Sequence, residues 1–264
     1  MMFDKEYFSK YCSPDGQDWQ QAARKRAYLY KAWIRRLLPN MRRNDVVVLE
    51  VGCGVGFFTQ HLACLEGGGA SVECIDISDV AVKIAREHLS SFQNVTINTG
   101  DAEKLSYSDN TADLLVCMDV VEHLSSPERF FAEAARVLKS DGILFFSTPN
   151  PGSLGHRIKG GKPRDFGEIN DVSNHVWFGY RDHTHINIRS IVQWRDVVQE
   201  AGFVLIRDGS DFWWDTPYFK WSPVGVQKLV FNGSHQILTR LFGFLPWSLG
   251  ENYYGIWRNV KSVK

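Results

Sequence analysis

The sequence predicts an α/β fold, a doubly wound and mostly parallel seven-stranded sheet with helices on its faces. Three observations point there. Short apolar strands alternate with helical segments between residues 46 and 150, the first strand runs into a glycine-rich turn, and acidic residues close three successive strands. Strict alternation of this kind is what parallel strands joined by crossover helices require.

Val46, Val47, Val48 and Leu49 form the first strand, too short and too β-branched for a helix. Glu50 sits at its end, and glycines follow at Gly52, Gly54 and Gly56. FFTQHLACLE then reads as a helix closed by Gly67, Gly68 and Gly69. SVECIDI (71–77) is a second strand ending in Asp76. Ser78 or Asp79 caps the helix VAVKIAREHL, whose apolar face is Val80, Ala81, Ile84, Ala85 and Leu89. VTINTGDA (95–102) is a third strand ending in Asp101. ADLLVCMDVVEHL (112–124) holds the fourth, which runs into a loop at Met118 and Asp119. Pro127 opens the helix ERFFAEAARVLK, which stops at Asp141-Gly142. GILFFSTPN is the fifth strand, broken by Pro149. SIVQWRDVVQEAGF (190–203) is a helix with Gly202 in its last turn, FVLIRDG the sixth strand, and YYGIWRNV (253–260) the last.

Two stretches interrupt this order. Residues 151–189 are a long connection rich in Gly, Pro and His, and residues 210–252 are rich in aromatics. Both are too long for simple connections and are read as cover over the substrate end of the sheet. Residues 1–44 read as amphipathic helices in which Tyr28, Tyr30 and Trp33 close over a ligand or pack on the sheet's edge. One domain over residues 1–264 is expected, with its binding core at 45–150.

Composition narrows the partners. Lys plus Arg (30) balances Asp plus Glu (30), which argues against a long nucleic acid as the main partner. The five cysteines (12, 53, 64, 74 and 117) form no C-x-x-C pair, which suits small buried residues in a reducing cytoplasm. No signal peptide and no membrane-spanning run is visible. The segment FWWDTPYFKW, with LTRLFGFLPW after it, suits a lid over an apolar, aromatic or sugar-bearing acceptor, a peripheral membrane contact or a dimer contact. The oligomeric state is left open.

The turn VGCGVG differs from the dinucleotide fingerprint G-x-G-x-x-G because its third glycine comes one residue early and Phe57 stands in the expected place. With Glu50 ahead of it, the spacing resembles the E/D-x-G-x-G-x-G motif of class I S-adenosylmethionine-dependent methyltransferases. The segment DVVEHLSSPERFFAEAARVLKSDGILFFSTPN resembles the subgroup that includes ubiquinone-biosynthesis and natural-product O-methyltransferases. The likeness covers about residues 45–150 and extends loosely to the last strand. It implies a Rossmann-like methyltransferase fold and S-adenosylmethionine as cofactor, leaving S-adenosylhomocysteine as product. It assigns Asp76 to the ribose hydroxyls, Asp101 to the adenine amino group, the Ala102 backbone to a ring nitrogen, and Ile77 to the ring face. Glu50 with Gly52, Cys53, Gly54 and Gly56 would hold the methionine portion, and Cys117 and Met118 would close over it. The ordinary structural reading is that Asp76 caps the next helix.

Methyl transfer to a hydroxyl gains from a general base, and histidine suits that task near neutral pH. His123, just beyond the fourth strand, is the first candidate; it is otherwise a packed helix-start residue. His183 and His185, in RDHTHINIRS, are the next, as base, substrate contact or loop anchor. Asp119 and Glu122 are helpers or structural residues. His183-x-His185 is half of a metal-site pattern, but without a clear cysteine or acidic partner pattern no metal is expected. The expected function is methylation of a small-molecule or glycan acceptor, at oxygen. The alternatives are N- or C-methylation of a small molecule, a non-catalytic S-adenosylmethionine-binding protein, and an NAD-dependent dehydrogenase, which Phe57 disfavours. A nucleic-acid amine methyltransferase would carry N/D-P-P-Y/F where this chain has Met118-Asp119-Val120-Val121.

Overall fold

The computed structural model describes residues 46–65, 69–154, 176–177, 180–181, 184–210, 221–227, 229–230 and 250–261, with Arg24, Ala27, Ile237 and Leu241 as single positions. The expected N-terminal helices with Tyr28, Tyr30 and Trp33, the Gly67-Gly68 stop, His183 and most of both covering stretches lie outside the described residues.

The chain runs β1 (Val47–Val51), α1 (Thr59–Ala63), β2 (Ser71–Asp76), α2 (Asp79–His88), β3 (Val95–Thr99), β4 (Ala112–Met118), a 3-10 turn (Val121–His123), α3 (Pro127–Val137) and β5 (Leu138–Pro149). After these come the short pair β6 (Val176–Trp177) and β7 (Tyr180–Arg181), then α4 (Ile191–Glu200), β8 (Phe203–Ser210), α5 (Val224–Gln227) and β9 (Asn252–Asn259). The main sheet has seven strands in the order β3-β2-β1-β4-β5-β9-β8. The first five are mutually parallel, and β9 is antiparallel to both its neighbours. The order reverses between β1 and β4, where open parallel sheets leave a crevice at the strands' carboxyl ends.

Alternate residues of each central strand feed two cores. Val48, Leu114, Val116, Phe145 and Ile256 face α1 and α2 in one; Leu49, Leu115, Cys117, Phe146 and Trp257 face α3 and α4 in the other. Covered on both faces, these strands must be apolar throughout, which is why they read as continuous hydrophobic runs.

Three boundaries differ from the sequence reading. The first helix keeps only five residues, Thr59–Ala63. The third strand ends at Thr99, so Asp101 lies in the loop beyond it rather than at a strand end. The helix after Pro127 ends at Val137; Leu138 pairs with Ala112, and residues 138–142 bulge into β5 with Asp141 at φ 62°. A fully buried Leu138 facing the sheet outweighs the helical pattern there. Ser190 caps α4 through a reciprocal bond with Gln193.

Asn259, at the end of β9, is buried and donates from Nδ2 to the carbonyls of Ala135, Leu138 and Lys139 at 2.8, 3.1 and 3.2 Å. It ties the last strand to the end of α3, whose final carbonyls lack helical partners. Asn259→Ala is expected to lower unfolding stability by about 2 kcal/mol, read as a lower urea midpoint at unchanged slope.

Candidate functional site

The site starts at the bend after β1. Gly52, Gly54 and Gly56 have φ of 75°, 52° and 84°, in the region closed to most side chains. The amides of Gly52 and Cys53 both donate to the Ile75 carbonyl, at 2.8 and 3.1 Å, clamping the bend to β2. A Cβ on Gly52 would lie 2.2 Å from Val120 Cγ2, so the segment after β4 packs directly on this backbone. A Cβ on Gly54 would meet no atom within 4 Å. The bend is therefore backed by protein at Gly52 and open at Gly54.

Asp76 ends β2 and holds the bend from its other side. Its Oδ2 accepts from the Gly54 amide at 2.8 Å and its Oδ1 from the Ser78 amide at 2.9 Å. Burial raises its pKa, and the Ser78 and Gly54 amides act against that. Ser78, rather than Asp79, caps α2 by accepting from the Ala81 amide. The next side chain, Ile77, is 59% exposed, an apolar surface between the buried Asp76 and Ser78. Across the rim, Gly100 donates to the Asp76 carbonyl at 2.9 Å. The exposed Asp101 accepts from the Glu103 amide at 2.8 Å, and Ala102 is buried beside it.

Glu50 is buried under the bend, with Cys74 Sγ 3.7 Å from its Oε2. Burial pushes its pKa up to about 7; Thr59 and Cys74 counter this in part, while the charge of Asp76 adds to it. Cys117 is wholly buried, and its side chain belongs to the core. Met118 is half-buried at the end of β4.

Beyond β4 the chain turns at Asp119, φ 54°, whose Oδ1 accepts from Ser147 Oγ at 2.6 Å. The 3-10 turn then presents Glu122 and His123. Three bonds sew it to the strap 184–187: His123 Nδ1 to the Thr184 carbonyl at 2.9 Å, the Asn187 amide to the Glu122 carbonyl at 2.9 Å, and Asn187 Nδ2 to the Leu124 carbonyl. The strap's far end is fixed by the buried Arg189, which bonds Glu128 at 2.7 Å and lies 5.1 Å over the Trp194 ring. His185, buried, meets His123 edge to face at 4.7 Å between ring centroids. Ligand atoms of Glu122, His123 and His185 all lie within 4.8 Å of one another. A carbonyl only accepts, so the proton of neutral His123 sits on Nδ1 and its lone pair on Nε2.

Residues 49–146 match the family described as "Methyltransferase domain". This stretch, 49–146, is a methyltransferase domain by that match. The ubiquinone biosynthesis O-methyltransferase of Coxiella burnetii (strain Dugway 5J108-111) is 32% identical over 151 residues, covering 56% of this chain and 63% of that one. The matched stretch thus spans under two thirds of that relative's length. Among solved structures, a SAM dependent methyltransferase from Aquifex aeolicus superposes with a TM-score of 0.52 at 19% identity, over 83% of this chain and 84% of the other. The [4+2]-cyclase SpnF superposes with a TM-score of 0.56 at 20% identity, over 88% and 81%. At such identity the likeness carries the fold and not the reaction.

The structure gathers Glu50, Gly52, Cys53, Gly54, Gly56, Asp76, Ile77, Asp101, Ala102 and Met118 around one sheet edge, and places His123 with His185, which lies beyond the matched stretch. It turns Asp119 toward Ser147 and buries the Cys117 side chain. Sequence reasoning missed the contacts that Thr184 and Asn187 make from more than 60 residues away. Both bonds end on backbone carbonyls, which leave no residue-type signal.

A residue-level test follows from Glu50. Its folded pKa of about 7 lies above the ordinary 4.5. Below the ordinary value the carboxyl is protonated in both states and has no effect. Between the two values the unfolded chain releases the proton while the folded one keeps it, so stability falls as pH rises. Above about 7 the whole penalty persists, on the order of 3 kcal/mol. Glu50→Gln is therefore expected to stabilise the ligand-free protein at about pH 8, with the gain vanishing near pH 4.5. Urea unfolding at the two pH values checks this, and an equal gain at both would contradict it.

Proposed function

We propose that this chain transfers the methyl group of S-adenosylmethionine to a hydroxyl oxygen of a small-molecule acceptor. The observation that carries the reading is the rim built by Asp76, Ile77 and Gly54. There, a carboxylate already oriented by two amides stands between an exposed apolar side chain and an open backbone bend. Each Asp76 oxygen keeps a further acceptor direction, which suits a pair of ribose hydroxyls. Ile77 offers an apolar face for an adenine ring, and the exposed Asp101 carboxylate, with Ala102 beside it, offers an acceptor for the ring's amino group. Glu50 lies under the methionine end, where a buried carboxyl suits a cationic ligand.

The bound cofactor supplies an activated methyl carbon: the acceptor oxygen's lone pair forms the new C–O bond, the C–S pair returns to sulfur, and the hydroxyl hydrogen leaves as a proton. The protein's part is to hold the oxygen in line and assist loss of that proton. His123 and His185 stand beyond β4 on the same edge, with His123 oriented by Thr184, so this pair takes the acceptor side. His183, the third candidate, stays an expectation. The relatives named for ubiquinone biosynthesis favour an aromatic hydroxyl as the acceptor class. One domain working in the cytoplasm is part of the same proposal. Among the described residues no helix is long and apolar enough to cross a membrane.

Calorimetry tests the cofactor assignment. The wild-type protein is expected to bind S-adenosylhomocysteine and not NADH. Asp76→Asn keeps the size of the side chain but loses charge-assisted bonds, weakening binding roughly ten- to a hundredfold. Unchanged affinity would remove Asp76 as the ribose clamp. Asp76→Ala is expected to loosen the bend as well, because the carboxylate braces Gly54 and Ser78. On the acceptor side, His123→Ala is expected to lower turnover on catechol-type acceptors by about a hundredfold or more, with S-adenosylhomocysteine affinity retained. Full turnover in that variant would move the role elsewhere.

A further inference from the structure

We infer that the stretch 216–250 is a docking face for an anionic lipid surface, on which the protein lies without crossing it. The sequence leaves three uses open for this region: a lid, a dimer contact or a membrane contact. Exposure and charge select the last, independently of the methyl-transfer reading.

Exposure is the first argument. Among the described residues eleven large hydrophobic side chains are exposed, and six of them fall between 221 and 241: Trp221, Val226, Leu229, Val230, Ile237 and Leu241. Trp221 is 82% exposed and Leu229 75%, more than a side chain folded over a cleft retains. Around α5 the ordinary polarity is inverted. Gln227 is buried and donates from Nε2 to the Ser222 carbonyl at 2.7 Å, while Val226, Leu229 and Val230 are exposed. A helix packing on its own protein turns its apolar side inward, so here that side is kept for something outside the chain.

Charge identifies the partner. From residue 216 to residue 250 the sequence holds Lys220, Lys228 and Arg240 and neither aspartate nor glutamate, whereas the whole chain is neutral. Apolar side chains interspersed with cations, with tryptophan at 221 and 247, suit the interface of an anionic bilayer, where indole rings sit at headgroup level. A second copy of the chain would set these cations against their own images, with no carboxylate in the stretch to pair them. A nucleic acid would take the cations but leave the six apolar side chains in water. No helix among the described residues is long and apolar enough to cross a membrane, so the contact is at the surface.

The stretch is tethered to the edge of the sheet that carries the glycine rim. It leaves the sheet after Ser210, the last residue of β8, and the Gly250 amide donates to the Ser210 hydroxyl at 2.9 Å. The buried Asn150, just after β5, donates from Nδ2 to the Gly250 carbonyl at 2.9 Å and from its amide to the Glu251 carbonyl at 2.6 Å. Both ends of the stretch are thus pinned beside the carboxyl end of β5, which is parallel to β4 and through it to β1.

The test is cosedimentation of the full-length protein with sucrose-loaded vesicles, made of phosphatidylcholine alone or with about one quarter phosphatidylglycerol. The wild type is expected to pellet with the anionic vesicles and not with the neutral ones, and to pellet less at about 0.5 M salt. Lys220→Gln, Lys228→Gln and Arg240→Gln together are expected to weaken partitioning more than tenfold, at roughly fivefold per charge. Leu229→Ser with Leu241→Ser is expected to weaken it as well at unchanged charge, with circular dichroism retained in both variants. If one variant does not fold, the other decides; if neither folds, lipid composition and salt decide on the wild type. No pelleting with anionic vesicles, equal pelleting with neutral ones, or full partitioning of a folded variant overturns the inference. So does a dimer seen by sedimentation velocity without lipid that Leu229→Ser with Leu241→Ser dissolves, since the face is then a contact between copies. S-adenosylhomocysteine binding, measured by calorimetry on the same wild-type sample, reads the methyl-transfer proposal separately, and neither result there changes the lipid outcome.

Discussion

The constraint on which the rest of the site depends is the clamp on the backbone between β1 and α1. Three polar contacts hold it: Gly52 and Cys53 donate to the Ile75 carbonyl, and Gly54 donates to the Asp76 carboxylate, which the Ser78 amide orients. A bend through three left-handed glycines would otherwise be a flexible loop, because glycine loses the most conformational freedom on ordering. Bonding it to the neighbouring parallel strand converts it into a rigid rim. The same carboxylate also fixes the start of α2, so a single side chain sets the shape of the bend and its distance from the next helix. A ligand that uses Asp76 meets a group already oriented, and little ordering cost remains at the moment of binding.

Beneath that rim the protein keeps a group that does not favour the folded state. Glu50 lies in the same register row as Cys74 and Val116, between two apolar strands, and its pKa rises to about 7 because water is excluded. A neutral side chain of the same shape would suit the empty fold better. Such local conflicts in otherwise consistent sequences concentrate at functional positions. On the proposed reading the conflict is resolved by the ligand, whose positive charge compensates a carboxylate in a place where water cannot.

Much of this was legible in the residues, for stated reasons. Strands such as VVVLE and ILFF are covered on both faces, so their apolar runs are continuous and hard to mistake. The glycine spacing was legible because only glycine takes those φ values without strain. What escaped were features set by partners distant in sequence. Leu138 and Lys139 continue a helical pattern, yet they join β5 because Leu138 fills a core position opposite Ala112. Asp101 reads as a strand end, but pairing with β2 stops at Thr99 and the carboxylate closes a turn onto Glu103.

The histidines show the same limit from the other side. Nothing in DVVEHL or in RDHTHIN says that these segments touch, since more than 60 residues separate them. The fold brings them together because β4 and β5 are neighbours, and the chain leaving β5 must return across the end of β4 to begin α4. The strap at 184–187 is that return, and the bonds that join His123 to Thr184 and Asn187 to Glu122 and Leu124 end on main-chain carbonyls. Bonding of this kind fixes the position of the turn and the strap that carry Glu122, His123 and His185. The glycine rim and the histidine pair therefore meet at one edge for a topological reason. The crossing point between β1 and β4 lies between them, and Val120 resting on Gly52 is the contact by which a shift in either would be felt by the other.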